Sequence, residues 1–185
     1  MLTDKTEGKV SMTGKERRKQ IIKVLETSVK PVSGTVLAGK MGVSRQVIVQ
    51  DMALLRATDK NIISTTRGYL LYKEDKSMVK RVVEVSHNED EICEELYTIV
   101  DNGGKMLDVS VYHSVYGMIT ADLIIQNRRE ADDFLRRLVE EHTVPLFTLT
   151  NGNHIHTIEA ENEQIMEDIV HTLREKGFLV EEEHD

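Results

Sequence analysis

The two parts of this chain carry opposite charge, and that split limits what it can fold into. Residues 1–73 hold 14 Lys/Arg against 6 Asp/Glu, a net of +8, whereas residues 74–185 hold 10 against 26, a net of −16. A division of this size at a plausible domain boundary points to two domains with different partners rather than one unevenly charged surface. The basic part attracts phosphates and the acidic part repels them. The expected organisation is a nucleic-acid-binding domain joined to a domain with another task. At 185 residues the chain can hold two small domains. With 3 Phe, 5 Tyr and no Trp, their cores must rest on Val, Ile, Leu and Met. The single cysteine, Cys93, excludes an internal disulfide and fits a reducing, cytoplasmic setting. No apolar run approaches the ~20 residues needed to span a bilayer. The N-terminus has no apolar signal segment, and residues 1–13 read as a flexible tail.

Residues 14–73 read as a DNA-binding domain. A helix over 15–28 places Ile21, Ile22 and Leu25 on one side, and Pro31 stops any continuation. A short helix from Ser33 to about Lys40 follows. Gly42 turns the chain, and Ser44 is a good N-cap for a third helix with Ile48, Met52 and Leu55 as its buried stripe. This is helix-turn-helix spacing. Ala38 is small where two helices touch, Gly42 tolerates a positive φ, and Ile48 anchors the second helix. Two short strands, 62–65 and 69–72, then make a wing. In a winged helix the third helix enters the major groove with its first residues at base edges. Ser44, Arg45, Gln46 and Gln50 are the candidate readers, with side chains suited to guanine and adenine edges. Arg67 at the wing tip, with Lys60 nearby, would meet phosphate or the minor groove.

Residues 78–181 read as an α+β sandwich, helices packed on one mixed or antiparallel sheet. Strands are expected at 79–86, 106–112 and 115–125, in LFTLT after Pro145, and in HIHTIEA, with a short addition from FLV. Helices are expected at 88–101 (Ile92, Cys93, Leu96, Tyr97 and Val100 inward), 128–142 (Ala131, Phe134, Leu135, Leu138 and Val139 inward) and 162–176. Histidine placement is the chemical signal. His154 and His156 form H-x-H on a strand, so both rings leave the same face. His87 ends the first strand, before a helix rich in glutamate. Two or three imidazoles with a carboxylate suit a first-row divalent ion such as nickel or zinc. The plainer alternative is a polar pair on an exposed strand face. Asn88 and Glu91 make a capping box, which leaves Glu94 and Glu95 as the freer carboxylates. His113, beside Tyr116, is either a ligand-pocket or a strand-end residue. His142, His171 and His184 read as surface positions.

The segments LAGKMGVSRQVIVQDMALLRA and IISTTRGYLL resemble the helix-turn-helix and wing of the nicotinate-responsive repressors of NAD biosynthesis. VSHNEDEICEELYTIVDNGG, LDVSVYHSVYGMI and NGNHIHTIEA resemble their three-histidine (3H) regulatory domain, so the resemblance runs from about residue 15 to 180. It implies a metal at four positions: the family's histidine before the helix matches His87, its helix carboxylate matches Glu95, and its H-x-H pair matches His154 and His156. It implies nicotinic acid as co-repressor and control of NAD-synthesis or niacin-uptake genes. The effector pocket is expected at the metal, with His113 and Tyr116 nearby.

The expected function is therefore that of a ligand-gated repressor, dimeric because palindromic operators mirror a protein two-fold. Two alternatives use the same cluster: a repressor for which the ion itself is the signal, and a metal-dependent hydrolase. Against the hydrolase, no other acid–base or nucleophile constellation is present, and four protein ligands leave little room for an activated water.

Overall fold

In a computed structural model, residues 12–58, 61–65, 67–72, 75 and 77–180 are described. The tail expected at 1–13 lies outside the described residues as far as residue 11, as do Lys60 and His184. The chain divides into two compact units, with the division falling around the end of the hairpin that follows the third helix. Among the described residues no helix is long and apolar enough to cross a membrane.

The first unit begins with α1 (Gly14–Glu26), α2 (Gly34–Met41) and α3 (Arg45–Thr58). Thr13 starts α1, its hydroxyl accepting the Glu16 N–H while the Glu16 carboxylate accepts the Thr13 N–H. Gly42 ends α2 at φ 66°, a left-handed conformation that glycine adopts without strain. Ile21, Leu25, Leu37, Ala38, Ile48, Met52 and Leu55 form one buried cluster. Asp51 of α3 is 3% exposed and accepts from Arg17 Nε at 2.5 Å and Arg18 Nη1 at 3.0 Å, which fastens α3 to α1. The hairpin of β1 (Ile62–Thr65) and β2 (Gly68–Leu71) docks through Val32 and Tyr69, which exchange backbone bonds of 2.8 and 2.9 Å. A Cβ on Gly68 would lie 2.3 Å from the Val32 carbonyl oxygen, so only glycine lets the wing close there.

The second unit is built from β3 (Val79–Ser86), α4 (Ile92–Asp101), β4 (Lys105–His113), β5 (Gly117–Ile125), α5 (Arg128–Glu140), β6 (Asn153–Ala160) and α6 (Glu163–Glu175). The strands lie in the order β3-β6-β4-β5, and every neighbouring pair is antiparallel, so the sheet is not mixed. One face packs on the helices: Val83, Val85, Met106, Val111, Leu123, Ile125, Ile158 and Ala160 share a core with Leu96, Ile99, Ala131, Met166, Ile169 and Leu173. The other face carries Val82, Tyr112 and Met118, all exposed. A bulge breaks the regular register of β4 between Met106 and Ser110.

Four expectations fail here. LFTLT is not a strand but a 3-10 helix, Leu146–Thr150. The hydroxyls of Thr148 and Thr150 hold this turn by donating to the carbonyls of Pro145 and Phe147, and such local bonds override strand propensity. FLV contributes only a single bridge, Leu179 to Val85. Val139 is 73% exposed, because it lies a further 100° around α5 from Leu138. The buried stripe of α4 runs through Ile92, Glu95, Leu96 and Ile99; Tyr97 and Val100 are half-buried but pack against the core as expected, and Cys93 alone of the five falls outside it. Tyr97 also donates to the Asp132 carboxylate, which with burial raises its phenol to about 12. Replacing Asp51 with Ala leaves two guanidinium groups against the first unit's core. Asp51→Ala is expected to cost that unit about 1–3 kcal/mol in urea denaturation, and Asp51→Asn, which keeps an acceptor, less.

Candidate metal centre and DNA-facing surface

Four side chains from three segments meet beneath the sheet's helix-covered face. His87 follows β3 directly, Glu95 comes from the first turn of α4, and His154 and His156 come from β6. Their side chains are 1%, 2%, 1% and 3% exposed. Each imidazole places Nδ1 against a backbone carbonyl: His87 on Asn88 at 2.8 Å, His154 on Gly152 at 2.8 Å, His156 on Asp108 at 2.7 Å. A carbonyl only accepts, so each Nδ1 carries the hydrogen. In the neutral ring each Nε2 is then a bare lone pair. All three Nε2 atoms turn toward the Glu95 carboxylate: His87 at 2.9 Å, His156 at 3.2 Å and His154 at 3.7 Å. Acceptors facing acceptors in a dry site repel. The arrangement calls for a cation, either added protons or a metal ion.

Two further observations fit a metal. Glu95 Oε1 and His156 Nε2 are buried with no hydrogen-bond partner. The ligand atoms of His87, Glu95 and His154 lie within 4.8 Å of one another, and His156 joins them across Glu95 Oε1. Three imidazole nitrogens and one carboxylate form a full set for tetrahedral zinc, and they also suit nickel. Burial pushes the Glu95 carboxyl upward, but the His156 charge and the close approach of all three rings outweigh it and hold it well below the usual range. Burial likewise disfavours charge on His87 and His156. The Glu95 hydrogen bond to His87 and the Glu95 charge beside His156 win, and both rings end above the ordinary imidazole value.

Local sequence explains the geometry. Alternation along β6 turns residues 154 and 156 inward together. Asn151 (φ 53°) and Gly152 (φ 97°) make the turn before β6, and a Cβ on Gly152 would lie 2.7 Å from the His87 carbonyl oxygen. Glycine thus permits the approach of the two histidine-bearing segments. Glu91 is used as a cap, accepting the Asn88 N–H at 2.9 Å. Glu94 is exposed and bonds Lys176, which leaves Glu95 as the inward carboxylate. The Phe147 ring stacks on His154, with centroids 4.7 Å apart at 20°, and Phe178 meets His87 edge-on. A cavity of about 30 Å³ adjoins the cluster, lined by Glu95, His154 and His156 together with Phe134, Leu146 and Phe147.

His113 and Tyr116 do not line this cavity. They sit at the tip of the β4–β5 hairpin, where His113 Nδ1 accepts the Val115 N–H at 3.2 Å and the two rings lie 4.9 Å apart. His142 and His171 are exposed. In the first unit Arg45, Gln46 and Gln50 are exposed along the start of α3. Ser44 is also exposed, but its hydroxyl caps α3 by accepting the Val47 N–H at 3.3 Å. Arg67 is exposed in the wing turn.

Comparison with known proteins agrees with this division. Residues 80–182 match the 3H domain family, and residues 17–70 match an HTH domain. The chain is 48% identical over 167 residues to the probable transcription repressor NiaR of Thermotoga maritima, covering 90% of this chain and 95% of that one. It is 35% identical over 176 residues to the transcription repressor NadR of Bacillus subtilis, covering 94% and 98%.

The raised imidazoles make a signed prediction. In chelator-treated protein their protonation stabilises the fold, fully below about pH 6.5 and progressively less as pH rises through the raised values. Metal needs the same nitrogens bare, so metal affinity must move the other way. Metal-free protein is expected to melt higher at about pH 6.5 than at about pH 8.5, while its affinity for Zn²⁺ or Ni²⁺ falls over the same descent. Gly152→Ala should weaken metal binding at every pH, read by competition with a chelating dye.

Proposed function

The chain belongs to the 3H-domain family of NiaR- and NadR-type transcription repressors, and from that premise we propose that it represses genes of NAD synthesis or niacin uptake with nicotinic acid as co-repressor. The observation that carries this reading is the set of three bare Nε2 atoms around Glu95 under a cavity, in a chain that also presents the polar start of a helix-turn-helix. His87, Glu95, His154 and His156 hold nickel or zinc. A bound ion would supply a positive centre for a carboxylate such as that of nicotinic acid. Arg45, Gln46 and Gln50 read base edges, Ser44 sets the pitch of α3 by capping it, and Arg67 meets the backbone or minor groove, as Lys60 does. A homodimer places two copies of α3 on a palindromic operator. The protein is a regulator and not an enzyme.

The cavity limits how the effector enters. At about 30 Å³ it holds a water but not a six-membered ring, so nicotinic acid reaches the cluster only if the cavity lining moves. That movement supplies the two states that co-repression needs, since an effector shifts only an equilibrium between states it binds unequally. The same small cavity favours a second reading, in which the ion alone is the signal and no organic ligand enters.

Fluorescence anisotropy of labelled promoter DNA, titrated with metal-loaded protein, separates the two. Nicotinic acid is expected to tighten binding about tenfold, about 1.4 kcal/mol of coupling, and chelation to abolish the gain. Binding that follows metal and ignores nicotinic acid selects the second reading. Arg45→Ala should weaken operator binding by about 1–3 kcal/mol, and unchanged affinity would remove Arg45 from the readers.

A further inference from the structure

We propose that Asp108 is a positioning residue for the histidine cluster, an inference that rests on the metal-centre reading above. Met106 pairs with Ile158 and Ser110 with Ile155, so four steps along β4 match three along β6. The extra residue lies within the bulge, next to the H-x-H pair. Before the bulge Met106 faces the helices; after it Val109 and Val111 do, while Tyr112 points to the open face. An unbroken strand would keep residues 106, 108 and 110 on one side and drive the Asp108 carboxylate into the apolar core. The bulge moves that carboxylate out of the core face and takes the Asp108 carbonyl out of the regular ladder.

Both released groups then act on β6. The Asp108 carbonyl accepts His156 Nδ1–H at 2.7 Å, and Asp108 Oδ1 accepts the Thr157 N–H at 3.0 Å. One residue therefore holds the ring and the backbone that follows it. The first bond selects the tautomer that leaves Nε2 bare toward Glu95, and the second keeps the carbonyl in place to make the first. Plain sheet stability does not account for an acid here. Asp108 stands directly across from Asp122 on β5, and like charges opposite one another disfavour pairing. The useful feature is the acceptor oxygen, which asparagine also offers.

Three variants and two readouts test this. In metal-free protein at alkaline pH, long-range ¹H–¹⁵N correlation of the His156 ring is expected to show the Nδ1–H tautomer in the parent and in Asp108→Asn, and a mixture in Asp108→Ala. Zn²⁺ competition with a chelating dye should show affinity near the parent's for Asp108→Asn and about 10–100-fold weaker for Asp108→Ala. Should Asp108→Ala fail to fold, Asp108→Glu keeps the charge but carries the oxygen one methylene past Thr157, and it is expected to behave as the alanine variant would. Parent-like tautomer and affinity in Asp108→Ala or Asp108→Glu would overturn the proposal, as would an Asp108→Asn variant that folds but loses both. If the parent itself binds no Zn²⁺ or Ni²⁺, the metal reading fails, and the tautomer measurement still decides the role of Asp108.

Discussion

Three imidazole lone pairs aimed at one buried carboxylate dominate the second unit. Glu95 is nearly inaccessible, with the Nε2 atoms of the three surrounding histidines at 2.9 to 3.7 Å, so its charge requires a cation among them, protons on the rings or a metal ion. Every neighbouring feature serves that contact. The carbonyls of Asn88, Gly152 and Asp108 hold the outer ring nitrogens, Gly152 admits the backbone of His87, and Phe147 and Phe178 pack against the rings. Without a cation, this many converging acceptors in an apolar setting would be strongly unfavourable. The site is therefore a device whose stability depends on what occupies it.

The first unit depends on its own buried charge. Asp51 binds Arg17 and Arg18 at the back of α3, while the exposed start of the same helix remains polar. The basic unit carries a net charge that attracts phosphate, whereas the strongly acidic second unit repels it. A chain divided in this way suits regulation, an HTH domain joined to a 3H domain of opposite charge.

Much of this was legible in the residues. Ala38, Gly42 and Ile48 announce the helix-turn-helix because each meets a steric demand of the turn, and all three fall where that demand arises. The H-x-H alternation correctly puts His154 and His156 on one face. The choice of Glu95 over Glu94 was also readable, but only once Ile99 is counted. Residues 92, 95, 96 and 99 form one helical stripe, and a lone carboxylate inside an apolar stripe marks a ligand or an ion pair. Two things lay beyond reach. The LFTLT segment has the composition of a strand, and hydroxyl bonds to its own backbone decide otherwise. The β4 bulge leaves no mark in composition, so neither the inversion of facing after Met106 nor the contact of Asp108 with His156 follows from alternation. For His113 the residues left a ligand-pocket and a strand-end position open, and the structure places it with Tyr116 at the tip of the β4–β5 hairpin.

The most direct test of the account is X-ray absorption at the metal edge of protein loaded with nickel or zinc and then dialysed. The account predicts one tightly held ion per chain with three imidazole nitrogens and one carboxylate oxygen at about 2.0–2.2 Å. An ion lost on dialysis, or one whose scattering shows only water oxygens and no imidazole, would contradict it.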